Sequence, residues 1–415
     1  MALMWVLLAM VLIMPFEENP YLYLSDSFLG LFPDFTLIKL LGLLGVCLVG
    51  WEMVSSNRPL HLLHSSQAKA LMAFLFASLL AAILGGASIQ PMTRMLSIIL
   101  LLPFIVAAVR TPARLELVLK TATAAWILVF PYALRQYFRY EGRFGVGLSE
   151  PNYVAISLLL FIPLTLVFAR YERILWKRTF WKVGAALLLV SIVLTGSRGG
   201  FLGLVVIAGL VVMRLMRARL TALVGLGFAF LVALFVVPNP LLSRLAASGE
   251  DSSGVEASNR DRVAVFKGGL RMIREHPITG VGLGNFKSKM EEYGDLETSK
   301  IAHNTYLEIA AELGLPALAT FLLVALATYR SLDRSSRMAL KRGDGKARDL
   351  LVAIQIGLTG YLIAAIFLSA QYERDFWLIV FLTICAERIV RAEAARSEPV
   401  ERRAERGLPQ PLPSR

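Results

Sequence analysis

The sequence predicts an all-α protein made for a lipid solvent: a polytopic membrane helical bundle of about twelve transmembrane helices, with one large outer loop containing short helices. Three observations predict it. Of the 415 residues, 56% are hydrophobic, above the roughly 45–50% apolar content of soluble domains, and the mean hydropathy is +0.63. The apolar residues come in continuous runs of roughly 17–25, the length at which a helix crosses the hydrocarbon. They do not alternate at period two, which excludes a membrane β-barrel.

The first run, Met1 to Phe16, lacks a basic leader and a small-residue cleavage site, so it reads as a retained span. Further runs follow at about 34–53, 68–86, 91–109, 115–134 and 152–169. The second six lie at about 183–196, 201–213, 220–238, 315–330, 350–369 and 375–391. The chain therefore divides into nine spans over 1–238, an outer loop over 239–314 and three spans over 315–391. The tail, 392–415, mixes Arg with Glu and ends in Gly407-Leu408-Pro409-Gln410-Pro411-Leu412-Pro413, a composition that predicts disorder.

Loop parity orients the bundle. Loops that follow even-numbered spans hold Arg58, then Arg110 and Arg114, then Arg170, Arg173, Lys177 and Arg178, then Arg214, Arg217 and Arg219, and the run Arg330 to Arg348. All are basic, which makes that face cytoplasmic and puts both termini inside. The net charge of +13 is thus explained by topology and not by a nucleic-acid partner. Cys47 and Cys385 lie far apart inside apolar runs and read as small core residues with no disulfide or metal role.

The opposite face receives an acidic loop, with Glu17, Glu18, Asp26 and Asp34, and the segment 239–314. Positive charge there opposes the topology rule and needs a reason. Arg198, in Thr195-Gly196-Ser197-Arg198-Gly199-Gly200, sits in a tight turn that parity places outside, as an anchor for an anionic group. Arg143 belongs to an outer basic and aromatic loop with Arg135, Arg139, Tyr137 and Tyr140, a pattern that a membrane-interface belt also explains.

Within 258–276, Val263, Phe266, Leu270 and Ile273 recur at helical spacing, and Lys267, Arg271 and Arg274 run alongside. This predicts a helix at the membrane surface with a basic edge, touching membrane lipids. Arg260 and Arg262 lie at its start, where backbone N–H groups also favour anions. Pro277, Gly280, Gly282 and Gly284 then make a tight turn. His303 opens a further helix that ends at Gly314-Leu315-Pro316, with Glu308 and Glu312 to one side. Neighbouring cations would keep its imidazole neutral and able to accept a proton, as a general base requires.

These residues resemble the O-antigen ligase and polymerase superfamily of bacterial envelope glycan enzymes. The likeness rests on Arg262, Phe266 and His276-Pro277 with Gly280-Val281-Gly282-Leu283-Gly284-Asn285-Phe286. It continues in His303-Asn304-Thr305-Tyr306-Leu307 with Glu312-Leu313-Gly314, and in the turn around Arg198 with Pro151-Asn152. The family often has Ser-Gly-Arg before the aromatic and Trp at that position; here Asp261 precedes Arg262 and Phe266 replaces the Trp, where an apolar ring still serves packing.

The resemblance implies a multi-pass protein of the bacterial inner membrane with its site at the periplasmic face. It implies a metal-independent transferase, needing no cofactor, whose donor is an undecaprenyl-pyrophosphate-linked glycan and whose acceptor is lipid A-core. Arg198 and Arg262 would hold the diphosphate and His303 would activate the acceptor hydroxyl, with inversion. Arg260, Arg274, Arg143, Asn304 and Tyr306 would contact substrate. Polymerisation of repeat units and transfer to Ser or Thr of exported protein are the other branches. Outside the family stand a lipid-linked glycan transporter, which predicts charges within spans and internal repeats, and a metal-dependent transferase using the acidic first loop.

Overall fold

The computed structural model describes residues 1–16, 22–28, 32–56, 65–139, 144–146, 149–216, 252–294 and 300–396. In chain order the helices are α1 (Ala2–Ile13), α2 (Leu37–Ser56), α3 (Ser66–Gly85), α4 (Ile89–Ala108), α5 (Pro112–Leu128), α6 (Phe130–Arg139) and α7 (Pro151–Tyr171). They continue with α8 (Leu175–Thr195), α9 (Arg198–Val211), α10 (Ser252–Glu275), α11 (Phe286–Tyr293), α12 (Thr305–Lys341), α13 (Gly345–Ala364) and α14 (Arg374–Arg396).

Among the described residues, nine helical segments are long and apolar enough to cross a membrane, and each falls on an expected run. The run at 1–16 is helical but shorter. The run at 375–391 is helical in α14, which carries Arg374, Asp375, Glu387, Arg388 and Arg391. The run at 220–238 lies outside the described residues, as do Glu17, Glu18, Arg143 and the tail from 397.

Interior and periphery separate by burial. In α7, 83% of the apolar window is buried and in α13 72%, against 17% in α2, so α7 and α13 form the centre and α2 the lipid-facing rim. The α14 stretch Phe376 to Cys385 is buried throughout, with Trp377 stacked on Phe74 at 5.7 Å and Phe376 on Tyr361 at 4.8 Å. Cys385 is buried as expected, whereas Cys47 is exposed, because α2 turns that face outward.

The bundle is helical as expected; two span bounds need correction, and there is one small addition, β1 (Tyr23–Phe28) and β2 (Phe32–Thr36), which pair as an antiparallel hairpin with Phe28 opposite Phe32. Short aromatic-rich segments favour pairing where no helix signal competes. Helix α8 begins at Leu175, well before 183, because Trp176 and Lys177 stay helical while suiting a membrane interface and Trp181 packs inward on Phe168. Helix α12 runs past 330 to Lys341, since Ser331, Leu332, Ser335 and Ala339 remain buried against the bundle.

The loops group by parity. At one end Arg170 pairs with Asp349 at 3.4 Å, Lys346 with Glu116 at 2.6 Å, and Arg342 with Glu393 at 2.9 Å. There Arg388 also donates to the Val106 and Val109 carbonyls. The turn before α9, the start of α7, the start of α12 and the end of α13 meet at the other end, around a common cavity.

Candidate active site

A backbone clip builds the frame. The turn Gly280 to Gly284 lies between the α3–α4 connection and the middle of α12. Val281 and Gly282 donate to the carbonyls of Ala311 and Glu312 at 2.8 and 3.0 Å. Leu283 donates to the Gly86 carbonyl at 3.0 Å and accepts from the Ser88 amide at 2.8 Å. Gly282 has φ +101, and a Cβ there would stand 2.3 Å from the Gly85 oxygen, so no other residue fits. Helix α12 breaks at Gly314 (φ 81, ψ 170), as its Gly-Leu-Pro sequence predicts, and the Leu315 amide bonds the Pro277 carbonyl at 2.8 Å. The Glu312 carboxylate, buried to 2% exposure, locks the assembly by accepting from the Phe286 amide at 3.1 Å and the Tyr372 hydroxyl at 3.3 Å.

The frame sets the start of α12 beside the turn before α9. Together with the end of α13 and helix α10 they enclose a cavity of about 570 Å³ whose lining includes Arg198, Arg262, His303 and Asn152. Three residues from widely separated sequence positions thus share one space. Gly196 (φ 62) ends α8, and the Ser197 hydroxyl caps α9 by accepting from the Gly200 amide at 3.2 Å. Arg198 is therefore the first residue of α9, where helix N–H groups add to its own positive charge. Arg262 comes from α10 and is exposed toward the cavity.

His303 has φ 48 and is the one non-glycine residue with positive φ among those described. Histidine tolerates this region better than most residues, but the position is held by the helix cap next to it. Asn304 caps α12, its side-chain oxygen accepting from the Tyr306 and Leu307 amides at 3.0 and 3.1 Å. Burial holds the imidazole below the usual histidine range; Glu150 opposes this, while Arg262 and Lys300 add to it. A neutral ring beside two guanidinium groups is suited to taking a proton where negative charge is bound.

Among the described side chains, those of Asn304, Tyr306 and Arg274 do not line this cavity. Asn304 is engaged in its cap, and the Tyr306 hydroxyl donates to the Leu362 carbonyl at 2.7 Å. Arg274 is exposed near the end of α10, and only the backbone of Arg260 is described. Arg143 lies outside the described residues. The α10 stripe of Val263, Phe266 and Leu270 is about half exposed, so Phe266 does not pack inside as expected. Val265, Gly268, Gly269 and Met272 pack inward instead, with Gly269 against Leu307, which leaves the apolar stripe facing outward as a surface helix requires.

Sequence reasoning missed a second cavity, of about 220 Å³, beside the first. Its lining includes Arg94, Tyr153, Glu308, Glu312, Tyr372 and Glu373. The signal was present in the run Gln371-Tyr372-Glu373-Arg374-Asp375, five polar residues between two buried helices, and in Arg94 near the start of an apolar run.

Residues 183–322 match a family model described as O-antigen ligase. That match supports the O-antigen ligase superfamily. It spans Arg198, Arg262 and His303 and takes in the whole clip from Gly280 to Gly314. The chain is also 26% identical over 280 residues to an uncharacterized protein of Haemophilus influenzae, which covers 61% of this chain and 69% of that one. The O-antigen ligase match over this part of the chain and the apolar helices support a membrane protein similar to the glycosyltransferase-like ligase and polymerase superfamily.

Proposed function

We propose that this chain is a ligase-type glycosyltransferase that moves a glycan from undecaprenyl pyrophosphate onto lipid A-core at the periplasmic face of the bacterial inner membrane. The observation that carries the reading is the single cavity shared by Arg198, Arg262 and His303. An acceptor hydroxyl attacks the anomeric carbon and gives its proton to His303. The bond from that carbon to the diphosphate oxygen breaks with inversion, and the diphosphate leaves with an added negative charge. Arg198 and Arg262 take up that charge through paired N–H contacts, and the helix start at Ser197 adds to them. No metal is needed for such a step, because fixed cations stabilise the leaving group.

The test is a transfer assay with purified, membrane-reconstituted protein and undecaprenyl-pyrophosphate-linked glycan, run with and without lipid A-core. Product that requires lipid A-core is expected. A ladder growing on the donor alone would make the chain a polymerase using the same cations. No product in either arm would overturn the enzyme reading in this form and turn attention to protein glycosylation or transport.

A further inference from the structure

The second cavity lies back to back with the first. Asn152 and Leu368 line the cavity of His303, while the next residues along the chain, Tyr153 and Ser369, line the other. Helix α12 serves both, with His303 before its first turn on one side and Glu308 and Glu312 on the other. One layer of side chains and backbone therefore separates the two spaces. At the rim of the second stands Lys287, exposed at the start of α11.

This cavity contains polar atoms that the protein does not satisfy. Glu308 is 9% exposed; its Oε1 accepts from the Gln371 amide at 2.8 Å, but its Oε2 has no hydrogen-bond partner. The Ser369 hydroxyl, also in the lining, lies beside that carboxylate and has no other partner. Buried polar atoms are nearly always paired, and a lone carboxylate oxygen is among the costlier exceptions. The set requires a partner that donates and accepts hydrogen bonds at closely spaced positions. Three carboxyl groups, Glu308, Glu312 and Glu373, share the wall with Arg94 and Lys287, so it lacks the cationic lining of the first cavity. A sugar ring meets each condition: vicinal hydroxyls that donate to carboxylate and accept from hydroxyl, and C–H faces that pack on the Tyr153 and Tyr372 rings. A volume of about 220 Å³ corresponds to about seven waters, enough for one ring.

We propose that this second cavity is a glycan subsite holding one sugar ring, oriented by Glu308, Ser369 and Tyr372, next to the diphosphate cavity. The inference rests on the transferase reading for which sugar enters, donor or acceptor, but not for sugar binding itself. Saturation-transfer NMR on the full chain in detergent, with free glucose, galactose and N-acetylglucosamine as probes, is expected to show contact with at least one of them. Glu308→Gln and Ser369→Ala should each abolish or weaken it. Ser369→Ala removes a hydroxyl that makes no well-formed bond in the protein, so its thermal melting should match the parent and separate binding from folding.

In the transfer assay the same variants should raise KM for one glycan substrate about tenfold for Glu308→Gln and several-fold for Ser369→Ala, with kcat little changed. Movement of the acceptor KM identifies the ring as the acceptor's, and movement of the donor KM as the donor's. Probe signals and both KM values untouched by either variant would overturn the subsite. An inactive parent that still binds sugar through Glu308 would overturn the transferase reading and leave the subsite standing.

Discussion

The two cavities at this end share helix α12 yet offer opposite chemistry. One is lined by Arg198, Arg262 and His303 and, among the described residues, by no carboxylate. The other gathers Glu308, Glu312 and Glu373 with Arg94, Lys287 and two tyrosines. A diphosphate placed in the second would face three carboxyl groups interleaved with Arg94 and Lys287, whereas in the first it meets Arg198, Arg262 and a helix start. The difference shows how one helix can divide a substrate between an anionic part and a neutral part, since residues 303 and 308 lie on different sides of its first turn and a half.

The largest effect expected from breaking this division is at His303. His303→Ala should lower the transfer rate by about 10²–10⁴-fold, the usual contribution of a positioned general base. The melting temperature should fall only slightly, because Asn304 still provides the cap while alanine tolerates the positive φ less well than histidine. A folded variant with full activity would remove His303 from the chemistry. Next in size are the cations: Arg198→Ala or Arg262→Ala should slow transfer by about 10²–10³-fold, the scale of one lost charge-stabilising donor. Arg198→Lys should recover only part of that, since an ammonium cannot make the paired contact. Equal activity of the Lys and Arg forms would show that charge alone is being used.

A smaller and more diagnostic effect lies in the pH profile. A base must be neutral to act, so the rate should fall as pH drops through the His303 pKa, which burial holds below the usual histidine range. Arg262 helps to depress that pKa and Glu150 opposes it. Arg262→Gln should therefore move the acid limb to higher pH, and Glu150→Gln should move it lower. Limbs that stay fixed in both variants would mean that another group sets the profile.

Much of this was legible in the sequence. Span positions follow from apolar runs, and Arg198, His303 and Arg262, which parity assigns to one face, line one cavity. The break at Gly314 was visible because Gly-Leu-Pro cannot continue a helix smoothly. What sequence could not show was pairing across distance. The Gly280 to Gly284 turn looked like part of the working site, but its amides are used to join Gly86 and Glu312, which only folding brings near. Asn304 and Tyr306 looked like substrate contacts because they adjoin His303, yet one caps a helix and the other bonds Leu362. Phe266 looked like a packing residue because helical periodicity marks an apolar face without saying whether protein or lipid covers it. The second cavity escaped for a related reason: Glu308 is close to His303 in sequence, but its neighbours Ser369 and Tyr372 come from the turn before α14.

The smallest expected effect bears most directly on which cavity does the chemistry. Treating the reconstituted protein with a metal chelator should leave the transfer rate unchanged, because Arg198 and Arg262 already supply the charge that a cation would bring to a leaving diphosphate. Among the described residues no three His, Cys, Asp or Glu side chains are arranged to hold a metal ion. Asp26 and Asp34 lie in the hairpin segments, and among the described residues no carboxylate lines the cavity of His303. Loss of activity on chelation, restored by a divalent cation, would therefore do more than add a metal. Carboxylates are the hard oxygen ligands that such cations prefer, so the reacting centre would have to move toward Glu308, Glu312 and Glu373. Glu308→Gln would then lower kcat instead of raising KM, and the two cavities would exchange roles.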